Sequence, residues 1–88
     1  MFPLGQVVAT PGALEALELA GKQPLEFLTR HAQGDWGDLG DDDKRANDQA
    51  IKTGARILSS YKLSDTVKIW ILTEADRSAT TLLLPEEY

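Results

Sequence analysis

The chain predicts an α+β fold, three helices packed on a three- to four-stranded antiparallel sheet, and three observations carry that expectation. Residues 55–84 form three β-prone runs separated by two turn signals. Residues 10–53 instead repeat apolar residues at helical spacing, with proline at helix starts and glycine at helix ends. At the front, Gly5-Gln-Val-Val-Ala9 is short and β-prone, a candidate fourth strand.

Thr10 precedes Pro11 as an N-cap precedes the first helical position, where the missing proline N–H has no partner to lose. Leu14, Leu17 and Ala20 follow at helical spacing, and Gly21 supplies the stop. A second helix opens at Pro24, with Leu25, Leu28 and Ala32 on one face and Phe27 and His31 alongside, and it ends at Gly34. The short link between these helices makes them a tight pair. Gln33 to Gly40 is turn chemistry, and Asp41 caps a third helix running to about Thr53, with Ala46, Ala50 and Ile51 as its buried stripe and Gly54 closing it.

Strands follow at Arg56–Leu63, Thr66–Thr73 and Ala79–Leu84, joined by turns at Ser64-Asp65 and Ala75–Ser78. Pro85 ends the last strand and Glu86 to Tyr88 form a short tail. In the central strand Val67, Ile69 and Ile71 should lie under the helices, opposite Lys68, Trp70 and Leu72. That second set is too apolar for a freely solvated face. Either the N-terminal segment folds over it, or Trp70 and Leu72 form a self-association surface.

Eighty-eight residues make one domain. With 42% hydrophobic and 26% charged residues the composition is that of a globular protein, not a disordered one. The lack of cysteine excludes disulfides, thiolate metal sites and a cysteine nucleophile. No apolar run is long enough to span a bilayer, and Met1 to Gly5 lacks the basic region and apolar core of a signal peptide, so a cytoplasmic location is expected. Net charge is −5, and residues 35–48 carry −4 of it, with six aspartates against Lys44 and Arg45. A balance of this kind argues against direct binding to nucleic acid, which needs a basic footprint, and leaves basic protein surfaces as partners.

Gly34-Asp-Trp-Gly-Asp-Leu-Gly-Asp-Asp-Asp43 is therefore the sharpest feature. Asp41, Asp42 and Asp43 suit a helix start through the helix dipole, and Asp35 suits a turn. Trp36 is either an anchor plugging the loop into the core or an exposed aromatic amid carboxylates, the composition of a hot spot for basic partners. Asp35, Trp36, Asp38, Asp41, Asp42 and Asp43 are the candidate partner-binding residues. The aspartates miss the alternating pattern of a calcium loop, so no metal is assigned. His31 near a helix end reads as a capping cation rather than a catalyst. No serine sits in a Gly-x-Ser-x-Gly elbow, no glycine-rich loop cradles a phosphate, and Glu74 and Asp76 read as a solvated turn with Arg77 as their ion pair. No catalytic residue or cofactor is assigned, and a hydrolase or nuclease would have only Glu74, Asp76 and His31 to work with.

Gly5-Gln-Val-Val-Ala-Thr-Pro-Gly-Ala-Leu-Glu-Ala-Leu17, Pro24-Leu-Glu-Phe-Leu28, Arg30-His31, Gly34-Asp-Trp-Gly37, Ile57-Leu58-Ser59, Lys68-Ile-Trp70, Thr73-Glu-Ala-Asp-Arg77, Leu84-Pro85-Glu86 and Tyr88 resemble segments of short proteins encoded on bacterial plasmids and integrated elements. Such proteins are labelled plasmid-related, and some carry the name of a type I restriction–modification methylation subunit. This chain has no Asn-Pro-Pro-aromatic motif and no room for a methyltransferase domain. The resemblance implies a mobile-element context and a host-facing role such as anti-restriction or anti-CRISPR inhibition. The expectation is thus a small acidic protein-binding module, its acidic loop set against the basic groove of a nucleic-acid-binding defence protein. Its alternative is a homodimer formed through the outer sheet face.

Overall fold

In a computed structural model, which describes residues 2–88, strand β1 (Gln6–Ala9) leads into helices α1 (Pro11–Ala20), α2 (Pro24–Ala32) and α3 (Asp41–Thr53). Strands β2 (Ile57–Lys62), β3 (Lys68–Thr73) and β4 (Ala79–Leu83) follow, and the chain closes with a 3₁₀ turn at Pro85–Glu87. The fold is α+β, with the sheet ordered β1-β4-β3-β2. Three strands form the expected antiparallel meander. The fourth corrects an expectation, because β1 pairs with β4 in parallel. It enters from the opposite end of the chain, with no hairpin to force an antiparallel course.

Several helix signals act as expected at the backbone, with two corrections: Gly40 rather than Asp41 caps α3, without a side-chain cap hydrogen bond, and α2 ends at Ala32 with Gln33 rather than Gly34 as its C-cap. The Thr10 hydroxyl accepts from the Ala13 N–H at 3.0 Å, and Gly21 and Gly54 close α1 and α3 in the left-handed conformation. The buried faces are rotated from the expected stripes. Helix α1 buries Ala13 and Leu17 and leaves Leu14 exposed, while α2 buries Phe27, Leu28 and His31 and leaves Leu25 exposed. Helix α3 buries Asn47 and Ala50, not Ala46.

One core forms between the helices and the inner sheet face, where Ala13, Leu17, Phe27 and Leu28 meet Tyr61, Ile69, Ile71 and Leu82. Ile69 and Ile71 lie under the helices as expected, whereas Val67 precedes β3 and stays exposed. A smaller cluster joins Trp36, Ala50 and Ile57, with Phe2 packed against it.

Both long edges of the sheet need an account, because an open edge presents unpaired backbone groups. On β2, the Ser60 N–H donates to the Trp36 carbonyl and its carbonyl accepts from the Asp38 N–H. The Asn47 side chain meets the Leu58 carbonyl at 2.7 Å and its N–H at 3.2 Å. That edge is closed by the acidic loop and by α3. On β1, the N–H groups of Gln6 and Thr10 reach β4, which aims those of Val7 and Ala9 away from the sheet.

Candidate functional site

Trp36 settles the reading of the acidic loop. It is 3% exposed, its indole N–H donates to Asp48 at 2.9 Å, and its ring lies near Phe2 and His31. It is the anchor, not an exposed aromatic, and the pairing of Gly37 with Ser60 on β2 fixes the segment around it. This removes Trp36 from the partner-binding residues.

Two loop carboxylates are also engaged within the molecule. Asp35 takes the Arg30 Nε at 2.7 Å, and that hydrogen bond together with the Gly37 N–H holds its carboxyl below the usual range. Asp38 meets the Lys68 ammonium at 3.1 Å, which likewise lowers its pKa. Asp42 pairs with Arg45 one turn along α3, with both side chains largely in water. Asp41 and Asp43 stand exposed on the first turn of α3 and form no ion pair among the described residues. The expected wall of free carboxylates is thus reduced to the start of α3.

What sequence did not anticipate is that this remnant meets the outer sheet face. A cleft of about 500 Å³ lies between α3 and the sheet, lined by Asp38, Asp43, Leu39, Leu58, Lys68 and Trp70 among others. Trp70 is half-buried, and Leu72 is 9% exposed and so largely closed to any partner. The cover is C-terminal, which corrects the expected N-terminal one. Tyr88 lies edge-on to Trp70 at 5.6 Å, and the Arg56 guanidinium sits 5.5 Å from the Tyr88 ring. Self-association through Trp70 and Leu72 therefore loses one of its two residues. Lys68 and Leu58 had one legible signal, alternation with Trp70 and Ser60 along their strands.

His31 is not a helix-end cation in water. It is fully buried, its Nδ1 is 2.5 Å from the Ser59 hydroxyl and its Nε2 is 2.9 Å from that of Thr73. The chain continues from Thr73 to Thr80 and ends at the Leu4 carbonyl. That carbonyl can only accept, so the Thr80 hydroxyl donates to it and the Thr73 hydroxyl donates to Thr80. The His31 Nε2–H must then donate to Thr73, leaving Nδ1 to accept from Ser59. Burial pushes the imidazole pKa down from 6.5 to about 4 and keeps it neutral.

Glu74 and Asp76 are exposed on the β3–β4 turn, and both ring nitrogens of His31 are already engaged, so the three share no site. Arg77 forms no ion pair with them. Its guanidinium donates to the carbonyls of Ala50, Ala55, Glu74 and Ala75, tying the end of α3 to the turn. Among the described residues no group of three His, Cys, Asp or Glu could hold a metal ion, and no helix is long and apolar enough to cross a membrane.

Comparison of the chain with family models, with curated proteins and with solved structures gives no match.

Proposed function

We propose that the protein is a binding module that takes a basic side chain of a partner protein into the cleft between α3 and the outer sheet face. The carrying observation is that free carboxylate and half-exposed indole line one cavity: Asp43 at the rim and Trp70 on the wall. An arginine or lysine suits it, with its aliphatic stem on Trp70 and Leu58 and its charged head toward Asp43. Asp38 is already committed to Lys68, so an incoming cation competes for it but finds Asp43 unpaired.

The partner is then a basic surface. The resemblance to plasmid-borne proteins favours a host defence protein, whose nucleic-acid groove would meet carboxylates where it normally meets phosphates. Binding of that kind fades as salt screens the attraction. The proposal assigns no catalytic role.

Fluorescence anisotropy of a labelled arginine-rich peptide tests the reading. Replacing Asp41, Asp42 and Asp43 together with Asn should weaken binding several-fold and flatten its salt dependence, since exposed charges contribute about 0.2–1 kcal/mol each. Trp70→Ala should cost about 2 kcal/mol, as an aromatic anchor at a binding centre does. Asp76→Asn, on the distant turn, should leave binding unchanged. If the triple variant and Trp70→Ala both bind like the parent protein, the cleft is not the site.

A further inference from the structure

The open edge of β1 is a second surface, and its chemistry differs from that of the cleft. We infer that β1 pairs antiparallel with β1 of a second copy, joining two four-stranded sheets into one about a two-fold axis.

The chain closes one sheet edge and leaves the other bare. Every edge group of Leu58 and Ser60 on β2 has a partner, supplied by Trp36, Asp38 and Asn47. On β1 the N–H and C=O of Val7 and Ala9 face outward with no strand beside them among the described residues. Edges left bare in a monomer are usually guarded by shortness, lysine, proline or a bulge. β1 is short but has no lysine, proline or bulge, and its two valines are 45% and 42% exposed.

The occupant follows from charge and from hydrogen-bond geometry. β1 itself carries no charged side chain, and the Glu87 carboxylate at its end is engaged by the Thr10 hydroxyl and the Leu84 N–H. A basic partner finds little along the strand to attract it, whereas two copies of a molecule carrying −5 repel each other least where the paired strands bear no charge. The register is self-complementary. Pairing Val7 with Ala9 of the second copy exchanges both backbone hydrogen bonds, and the two-fold repeats the exchange, giving four bonds in all. Val8 then lies opposite its own copy at the non-hydrogen-bonded position on the outer face, where side chains approach closely. Because the axis is normal to the sheet, both helix layers stay on one side. The apolar hollow of about 320 Å³ beside Val7, lined by Leu4, Leu25 and Leu28, is brought to the junction in each copy. Leu25, 70% exposed, gains a reason to be there.

A four-residue edge gives a small interface, so the dimer's dissociation constant is micromolar or higher. Sedimentation of the intact protein from the micromolar to the millimolar range tests this. The parent protein should shift from monomer to dimer, and Val8→Lys, which sets two ammonium groups face to face, should stay monomeric with an unchanged circular dichroism spectrum. Mixing Val8→Lys with Val8→Glu should restore a dimer of one copy of each. Should the lysine variant fail to fold, amide exchange on the parent protein decides: the Val7 and Ala9 N–H groups must become protected as concentration rises. A parent protein that stays monomeric with concentration-independent exchange overturns the proposal. So does a monomer whose Val7 and Ala9 amides are protected only by an added valine-rich strand peptide, which makes the edge a site for another protein.

Discussion

His31 shows what a single buried ring does to a small domain. Unfolded, it takes a proton near its ordinary 6.5, and folded only near 4, so between these values the unfolded state binds more protons. Its contribution to stability is complete above pH 6.5 and is lost as pH falls toward 4, by roughly 3 kcal/mol across the window. Urea titrations at a series of pH values should show this slope, and His31→Leu should flatten it. The same variant strands the Ser59 hydroxyl without an acceptor and the Thr73 hydroxyl without a donor. It should therefore lose about 1–3 kcal/mol at neutral pH as well. A parent protein equally stable at pH 7 and pH 4.5 would remove the neutral-imidazole account. Sequence placed His31 at a helix end and read it as a capping cation. Spacing alone could not show that the end points into the sheet, because its partners Ser59 and Thr73 lie 28 and 42 residues away.

At the scale of elements, strands and most helix termini were legible because their causes are local: Thr10 with Pro11, Gly21 and Gly54, and β-prone runs bounded by turn residues in β2 to β4. The faces of the helices were not legible. Leu14 and Leu25 look as buriable as Leu17 and Leu28, and only the sheet that receives them decides. The loop 34–40 was read by composition, yet what orders it is pairing with β2. Gly37 adopts φ 75°, and a Cβ there would run into the Ser60 carbonyl and the Tyr61 ring. Gly37→Ala should thus cost at least the 1–2 kcal/mol of a left-handed residue and loosen Trp36, seen as a red shift of its fluorescence in a Trp70→Phe background. Arg77 performs the matching task at the other end of α3. It holds φ 60° while its fork reaches the Ala50 carbonyl at 2.9 Å and the Ala55 carbonyl at 2.7 Å. Arg77→Lys keeps the charge but cannot reach both sets of carbonyls, so thermal melts should show a loss of about 1–2 kcal/mol. An unchanged melting temperature would mean water replaces the guanidinium without loss.

At the scale of the molecule, charge divides the surface into two sectors with opposite salt behaviour. The acidic side was legible in sequence as aspartate density around residues 35–43, but its partner wall, Trp70 and Leu58, is contributed by strands far along the chain. The neutral side was visible only as a charge-free start, whose meaning depends on β1 being an edge. Capture of a basic peptide by the cleft gains from unlike charge, so added salt weakens it. Pairing of two copies through β1 brings net charges of −5 together, so the same salt screens repulsion and tightens the dimer. Anisotropy and sedimentation on one preparation, each at low and at high ionic strength, should therefore move in opposite directions. Asn in place of Asp41, Asp42 and Asp43 lowers the net charge to −2, which should weaken peptide binding and strengthen pairing in the same protein. Parallel responses in both assays would show that the two surfaces are not separated by charge, and the assignment of different partners to cleft and edge would fail.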